Sequence, residues 1–184
     1  MKIYISGSHG SGKTTCARYI SEKYKLPLIT EVARTILSEK ELQIDSLRYD
    51  MNLVNDYQSS IFYRQLNEEK KHSSFVSDRS GIDSLAYAAQ HTNILPKLLK
   101  STELSEYLSI LKEPDSILFF VRPCQATLRA DGVREIINWD AAIAIDAQIK
   151  LLYEMFELRY FQINTENMQE RTQLIDAVLS FVKL

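Results

Sequence analysis

Residues Met1–Thr15, MKIYISGSHGSGKTT, carry the strongest indication of the fold in this chain. Its β-branched and aromatic residues, Ile3, Tyr4 and Ile5, predict a short strand. Residues 7–14 then match the pattern G-x-x-x-x-G-K-[ST], and residues 15–20 are compatible with a helix. A strand, a glycine-rich loop and a helix in this order form the context that a phosphate-binding loop requires.

The residue types of this loop suit a nucleoside triphosphate. Its glycines leave room for the backbone to wrap a polyphosphate, with N–H groups pointing inward at the positive end of a helix. Lys13 would place a cation on the β/γ-phosphate oxygens, and the Thr14 hydroxyl would ligate Mg²⁺. Three of the five glycines of the chain lie here, which argues against a chance glycine turn. The predicted nucleotide-binding residues are Gly7, Ser8, His9, Gly10, Ser11, Gly12, Lys13, Thr14 and Thr15.

The composition predicts one globular domain, residues 1–184, with 45% hydrophobic and 25% charged residues. A net charge of -2 gives no global electrostatic case for nucleic acid, although it says nothing about a local basic groove. Cys16 and Cys124 are isolated, which argues against a metal cage or a disulfide framework. The first predicted strand leaves no room for a leader, and no apolar run exceeds five residues. We therefore expect a cytoplasmic protein without a membrane segment.

Strand and helix signals alternate along the rest of the chain. Further strands are predicted at 26–30, 75–78, 117–121 and 160–163. Helices are predicted at about 13–24 and at 96–111, 139–158 and 170–184. Another predicted helix begins at 45 or 46 and ends in a solvated run at 67–72, and a further one begins at 80. Ser80 and Asp83 have the spacing of a capping box. This alternation predicts an α/β fold, a parallel sheet with helices on both faces, whose ligands bind beyond the carboxyl ends of the strands.

Glu31 and Arg34 follow the second predicted strand, and their spacing places them on one face of a helix. A carboxylate at this position would accept a proton from an attacking hydroxyl, and a guanidinium beside it would hold a phosphate with two hydrogen bonds. The alternative is a first-turn acid favoured by the helix dipole and paired with a surface arginine.

Asp78 and Arg79 follow the third predicted strand. An acid beside the phosphate loop would hold Mg²⁺ directly or through water, and Arg79 would grip the acceptor substrate. The alternative is an ion pair within the loop. Only two apolar residues, Phe75 and Val76, precede Asp78, so the strand signal before it is weak.

Arg129 and Arg134 flank an Asp-Gly turn in the polar segment 122–138, after the fourth predicted strand. Phosphoryl transfer needs positive charge on the γ-phosphate, and a closing lid often supplies it. We therefore predict a lid at about 122–138. The alternative is an exposed loop with two solvated arginines.

These motifs, GSHGSGKTT, EVAR, SDRSGIDSLAYA and DGVRE in this order, resemble the small AAA-type P-loop ATPase/kinase family that includes the nicotinamide riboside kinase domain of the NadR proteins. The resemblance implies a three-layer P-loop fold like that of thymidylate and nucleoside kinases, with a five-stranded parallel sheet in the order 2-3-1-4-5. It also implies ATP and Mg²⁺ as cofactors. The E-x-x-R spacing is similar to the D-x-x-R of polynucleotide 5′-hydroxyl kinases.

The sequence thus predicts a kinase that moves the γ-phosphoryl group of ATP to a nucleoside, a nucleotide or a related ribosyl compound. In this interpretation Glu31 is the base, Arg34 and Arg79 orient the acceptor, and two lid arginines neutralise the transition state. One alternative is a kinase acting on nucleic acid, at a 5′-hydroxyl or a modified base. The other is a regulatory ATPase without a small acceptor. The chain contains no N-K-x-D guanine signature, which argues against a GTPase switch.

Overall fold

The strands of the protein, seen in a computed structural model, form one parallel sheet. The structure describes residues 1–30, 32–33, 36, 50–125 and 138–182. The strands pair in the order β2-β3-β1-β4-β5, which confirms the predicted five-stranded sheet. Their bounds are β1 (Lys2–Ser6), β2 (Leu28–Ile29), β3 (Phe75–Asp78), β4 (Ser116–Val121) and β5 (Phe161–Ile163).

Helices connect these strands and cover the sheet. Within the described ranges they are α1 (Lys13–Tyr24), α2 (Met51–Glu69), α3 (Gly81–His91), α4 (Leu95–Leu99), α5 (Thr102–Leu111), α6 (Trp139–Met155) and α7 (Met168–Val182). Val32, Ala33 and Ile36 are also helical. None of the helices in these ranges is long and apolar enough to cross a membrane.

Two apolar cores lie on opposite faces of the sheet, because side chains alternate along a strand. In β1, Ile3 and Ile5 face one core, where they pack with residues of α1 and α7. Tyr4 faces the other core, which α2, α3, α5 and α6 complete. The sheet is therefore the middle of three layers, as predicted.

Local capping signals decide where several helices begin. The capping box of Ser80 and Asp83 is present at the start of α3, as predicted. The prediction of a single helix at 96–111 is wrong, since two helices, α4 and α5, cover this stretch. The Ser101 side chain accepts a hydrogen bond from the Leu104 N–H and so caps the start of α5. The caps predicted at 45 or 46 lie outside the described residues. The described part of α2 begins after Asp50, whose side chain accepts from two backbone N–H groups.

The prediction of a solvated run at 67–72 is wrong at Glu69, because this residue is only 5% exposed. Its Oε1 accepts from Gln65 Nε2 at 2.7 Å and from the Tyr107 hydroxyl at 3.4 Å. Gln65 also donates to Ser77 Oγ at 2.8 Å, so this polar cluster joins α2 to α5 and β3. Within the described part of the chain, Oε2 of Glu69 has no hydrogen-bond partner. Burial raises the pKa of Glu69 to about 8.

This raised pKa predicts a stability that depends on pH through Glu69. Between about pH 4.5 and 8, the folded protein keeps the Glu69 proton that the unfolded chain has lost. The free energy of unfolding should therefore fall as pH rises through this window. Glu69→Gln keeps the shape and stays neutral, so its stability should fall less between pH 5 and pH 8. Urea unfolding at several pH values measures the difference.

Glu68→Gln is the matched control, since Glu68 is the neighbouring acid and pairs with Lys71 at the surface. Its stability should follow the pH dependence of the parent. Parallel stability curves for the parent and Glu69→Gln would mean that Glu69 does not titrate in this window.

Candidate active site

The loop between β1 and α1 takes a backbone shape that needs glycine. Gly7, Gly10 and Gly12 have φ angles of 147°, 72° and 91°, a region that residues with a Cβ rarely adopt. A Cβ on Gly7 would also lie 2.3 Å from the carbonyl oxygen of Val121, at the end of β4. The neighbouring strand therefore leaves no room for a side chain where the loop begins.

Lys13 opens α1 and folds back over the loop. Its Nζ donates to the Ser8 carbonyl at 2.5 Å and lies 3.4 Å from Ser11 Oγ, and the residue is 5% exposed. Gly12, the residue before the helix, makes no side-chain cap. The positive end of the α1 dipole and the Lys13 ammonium thus act on the same concave loop, as an anion site requires.

Thr14 and Asp78 meet at the carboxyl ends of β1 and β3. The strand register pairs Ile5 with Asp78, which brings that carboxylate beside the loop. The Thr14 hydroxyl donates to Asp78 Oδ2 at 2.6 Å, and Asp78 is 4% exposed. Because the hydroxyl proton points at the carboxylate, the oxygen lone pairs of Thr14 remain available to a cation. Among the described residues, no group of three or more His, Cys, Asp or Glu side chains could hold a metal ion.

Asp83 holds the start of the loop from α3, a role that the predicted helix cap did not include. It is fully buried, and Oδ1 accepts from the Gly7 N–H at 2.9 Å. Oδ2 accepts from the Ser80 N–H at 2.9 Å and also contacts the Ser6 and Ser80 hydroxyls. One carboxylate therefore caps α3 and ties it to the loop.

Arg79 lies beside the same edge of the sheet. Its φ is 99°, which is unusual for a residue with a side chain, and its N–H donates to the Ile5 carbonyl at 3.1 Å. Its guanidinium carbon lies 5.1 Å from the ring centre of Tyr87. The Tyr87 hydroxyl in turn accepts from the His9 N–H at 3.1 Å and contacts His9 Nδ1 at 2.8 Å. The structure thus brings Arg79 and the loop together through α3.

The other predicted site residues, Glu31, Arg34, Arg129 and Arg134, lie outside the described residues. Near the first pair, Val32 and Ile36 pack against α2 in a small core with Tyr57 and Ile61. The Tyr57 hydroxyl donates to the Ala33 carbonyl at 3.2 Å. The chain that follows β2 is therefore attached to α2, and β2 itself lies next to β3.

The predicted lid begins at Arg122, which an ion pair anchors to α6. Its Nη2 lies 2.6 Å from Asp146 Oδ2, and its Nε donates to Oδ1 at 2.9 Å. Burial raises the pKa of Asp146, and the hydrogen bonds from Arg122 oppose that rise. At the other end, the Asn138 side chain caps α6 by accepting from the Asp140 N–H. Both ends of the segment 122–138 are thus fixed to the same helix.

Arg171 is a second residue whose contact with the glycine loop the sequence did not predict. It comes from α7, is 1% exposed, and its Nη1 donates to the Ser11 carbonyl at 2.6 Å. The available signal is its spacing: Arg171 precedes Ile175 and Leu179 by four and eight residues, so a cation lies on the buried stripe of a helix.

Comparison with known proteins agrees with this geometry. The five-stranded sheet and the glycine loop define a three-layer P-loop fold. A family model described as an AAA domain matches residues 2–171, and the chain belongs to that family. This confirms the resemblance to the small AAA-type P-loop family. No curated protein matches the sequence.

Solved structures with the same fold include three kinds of protein. Deoxyadenosine kinase from M. mycoides with bound dCTP has a TM-score of 0.71 and 16% identity, and covers 98% of this chain and 99% of its own. NadR protein in complex with NR has a TM-score of 0.76 and 17% identity, over 100% of this chain and 52% of its own. Shikimate kinase from Acinetobacter baumannii in complex with shikimate has a TM-score of 0.58 and 14% identity, and the match covers 99% of this chain and 93% of its own. At these identities the likeness establishes the fold.

The contacts of Asp83 predict that Asp83→Asn destabilises the protein by about 3 kcal/mol, the cost of breaking buried hydrogen bonds to a charged group. The amide NH₂ group would face a backbone N–H, either that of Gly7 or that of Ser80. Asp115→Asn is the control, because that carboxylate is 51% exposed and pairs with Lys2 at 3.9 Å. Its loss should be about 0–1 kcal/mol by urea unfolding. An equal loss of unfolding free energy in the two variants would mean that Asp83 does not hold the loop to α3.

Proposed function

We propose that this protein is an ATP-dependent kinase that transfers the γ-phosphoryl group to a small acceptor, a nucleoside, a nucleotide or a related ribosyl compound. The observation that carries the proposal is the 2.6 Å contact between Thr14 Oγ1 and Asp78 Oδ2. It places a hydroxyl from the loop and a carboxylate from the adjacent strand at one point, beside an anion site. That pairing of oxygen ligands and anion site is what a Mg²⁺–nucleotide complex needs.

The proposed nucleotide site uses the loop 7–15 together with β3. The loop N–H groups and Lys13 would hold the β- and γ-phosphates. Thr14 would ligate Mg²⁺ through a lone pair, while Asp78 would fix the hydroxyl and hold a metal-bound water. These hard oxygen donors fit Mg²⁺, which keeps several waters and takes few protein ligands. The ion would supply charge neutralisation on the β- and γ-oxygens.

The proposed acceptor site lies across the same edge of the sheet. Glu31, which follows β2, would take the proton of the attacking hydroxyl. Arg34 and Arg79 would orient the acceptor, and the position of Arg79 beside the loop supports this. Arg129 and Arg134, in the lid at 122–138, would neutralise the transition state. In this proposal residues 1–184 form one catalytic domain.

A phosphoryl-transfer screen tests the function directly. Labelled ATP is offered with nucleosides, nucleotides and oligonucleotides, and hydrolysis without any acceptor is measured in parallel. The proposal expects a labelled product from a small acceptor. Transfer only to oligonucleotides would favour a nucleic-acid kinase, and hydrolysis that no acceptor changes would favour a regulatory ATPase.

Lys13→Ala should remove most of the stabilisation by Mg-ATP. A ligand present at a hundred times its Kd stabilises a protein by about 2.7 kcal/mol, so a clear rise in Tm is expected for the parent. The variant loses the cation that faces the phosphates and should show a much smaller rise. Lys97→Ala removes an exposed lysine from α4 and should respond like the parent. An equal rise for Lys13→Ala would mean that the loop does not bind the nucleotide as proposed.

Glu31→Gln should separate the kinase from the ATPase. The substitution keeps the size and removes the carboxylate charge, so transfer to the acceptor should fall by about 10²–10⁴-fold. Binding of ATP and its slow hydrolysis by water should change little, since water needs no acceptor site. The measurement is the pair of rates, transfer and hydrolysis, in the parent and the variant.

Glu22→Gln, an exposed acid on α1, is the control and should leave both rates unchanged. If hydrolysis falls as much as transfer in Glu31→Gln, then Glu31 belongs to the ATPase machinery. If neither rate falls, Glu31 is a first-turn helix acid without a chemical role.

A further inference from the structure

Arg171 places a buried cation directly behind the glycine loop. It lies on α7 and makes three contacts with three separate segments of the chain. Nε donates to the Thr165 carbonyl at 2.7 Å, and Nη1 donates to the Ser11 carbonyl at 2.6 Å. Nη2 lies 3.4 Å from Cys124 Sγ. The guanidinium therefore joins the loop to the chain after β4 and the chain before α7.

Within the part of the chain that the structure describes, the hydrogen-bond partners of this guanidinium are neutral. Among the described residues, no carboxylate lies within ion-pair distance of Arg171, although its side chain is almost wholly buried. A buried charge without a counter-charge costs free energy that hydrogen bonds to carbonyls offset only in part. An anion in the loop would provide the missing counter-charge from the other side.

The bond to Ser11 also sets the direction of a peptide unit. The peptide unit between Ser11 and Gly12 is planar and trans, so its C=O and its N–H point in opposite directions. Because Arg171 binds the carbonyl, the Gly12 N–H points away from the guanidinium. In the proposed site this N–H is one of the loop donors to a phosphate.

Gly12 is matched to this contact. A Cβ on Gly12 would lie 2.5 Å from Arg171 Nη1, and its φ of 91° already favours glycine. The guanidinium thus occupies the space that any side chain at position 12 would need. Glycine at position 12 therefore lets Arg171 reach the Ser11 carbonyl.

We propose that Arg171 is a positioning residue for polyphosphate binding: it holds the Ser11–Gly12 peptide unit so that the loop can accept the phosphates. This inference rests on the proposed function, because it assumes that the loop binds a nucleotide. It adds a residue from the far end of the chain, 160 positions from Ser11, to the machinery of the site.

Two variants separate the contributions of this side chain. Arg171→Met removes the charge and all three contacts, and should weaken Mg-ATP binding about tenfold or more, as expected for loss of a charged hydrogen bond. Arg171→Lys keeps the charge but loses the planar fork, so its loss of affinity should be smaller but measurable. The control is Lys23→Met, which removes an exposed cation paired with Asp176 of α7 and should bind like the parent.

The readout is the dissociation constant of folded protein, measured below the onset of unfolding of each variant. Two probes are used, Mg-ATP and inorganic Mg-tripolyphosphate, which has no base or sugar. The proposal expects the same fold-loss for both probes. A loss for Mg-ATP alone would assign Arg171 to the nucleoside end of the ligand, and unchanged constants would make it a purely structural residue. Either result overturns the proposal.

A measurement on the unmodified protein covers the case in which the variants do not fold. Coupling between two sites is reciprocal, so if Arg171 prepares the loop for phosphate, phosphate must strengthen the contact of Arg171. Hydrogen exchange of the Arg171 side-chain N–H groups, followed by NMR, should slow when Mg-tripolyphosphate is added. Unchanged exchange with the probe bound would overturn the proposal. Failure of the parent to bind either probe would instead overturn the proposed function.

Discussion

The orientation of the peptide units in the glycine loop is the constraint on which the rest of this edge of the sheet depends. Fixing three glycines at positive φ in a single conformation costs conformational entropy, which contacts with the surroundings must offset. Opposite charges from two helices hold its two ends. The carboxylate of Asp83 accepts the N–H of Gly7 at the start, and the guanidinium of Arg171 donates to the carbonyl of Ser11 near the end. Two buried side chains from separate helices thus hold the loop at its start and near its end.

Strand register delivers the remaining groups to this loop. Because β1 lies between β3 and β4, the residues that end both neighbours reach it directly. Asp78 comes from β3, and the Val121 carbonyl of β4 approaches Gly7 so closely that only glycine fits. A register slip of one residue would turn every side chain of a strand to the opposite face. The buried alternation of β1 and β4 on two cores prevents it, so core packing and site geometry share one cause.

Much of the fold could be predicted from the sequence because its signals are local. The bounds of α1 and β3 and the capping box at Ser80 were predicted correctly from motifs a few residues long. The sequence could not show that Glu69 is buried, because its partners Gln65 and Tyr107 meet it only after α2 and α5 pack together. Charged residues are usually exposed, so a charge-rich stretch predicts solvent, and tertiary packing overruled that expectation here.

The candidate site divides in the same way. The loop and Asp78 were predictable, because a motif and a strand end identify them. The contact of Arg171 with Ser11 was not, because it spans 160 positions, and the helical spacing of Arg171 indicates only that it is buried, not which residue it binds. Asp83 was identified as a helix cap, but its bond to Gly7 depends on how α3 meets β1. Sequence patterns thus identify the residues proposed to face the ligand better than the residues that hold the loop in place.

The acceptor is the part of the proposed function that the fold leaves open. The similar structures carry dCTP, NR and shikimate, three ligands of different chemistry on one architecture. What these proteins share with this chain is the fold, and a shared fold does not decide which molecule a site takes. In this chain the residues proposed for that task, Glu31, Arg34 and Arg79, follow β2 and β3. The small core of Val32 and Ile36 against α2 fixes where the first of these segments begins. In the proposed function, the choice of acceptor therefore depends on short stretches after β2 and β3, whereas polyphosphate binding depends on contacts that span the whole chain.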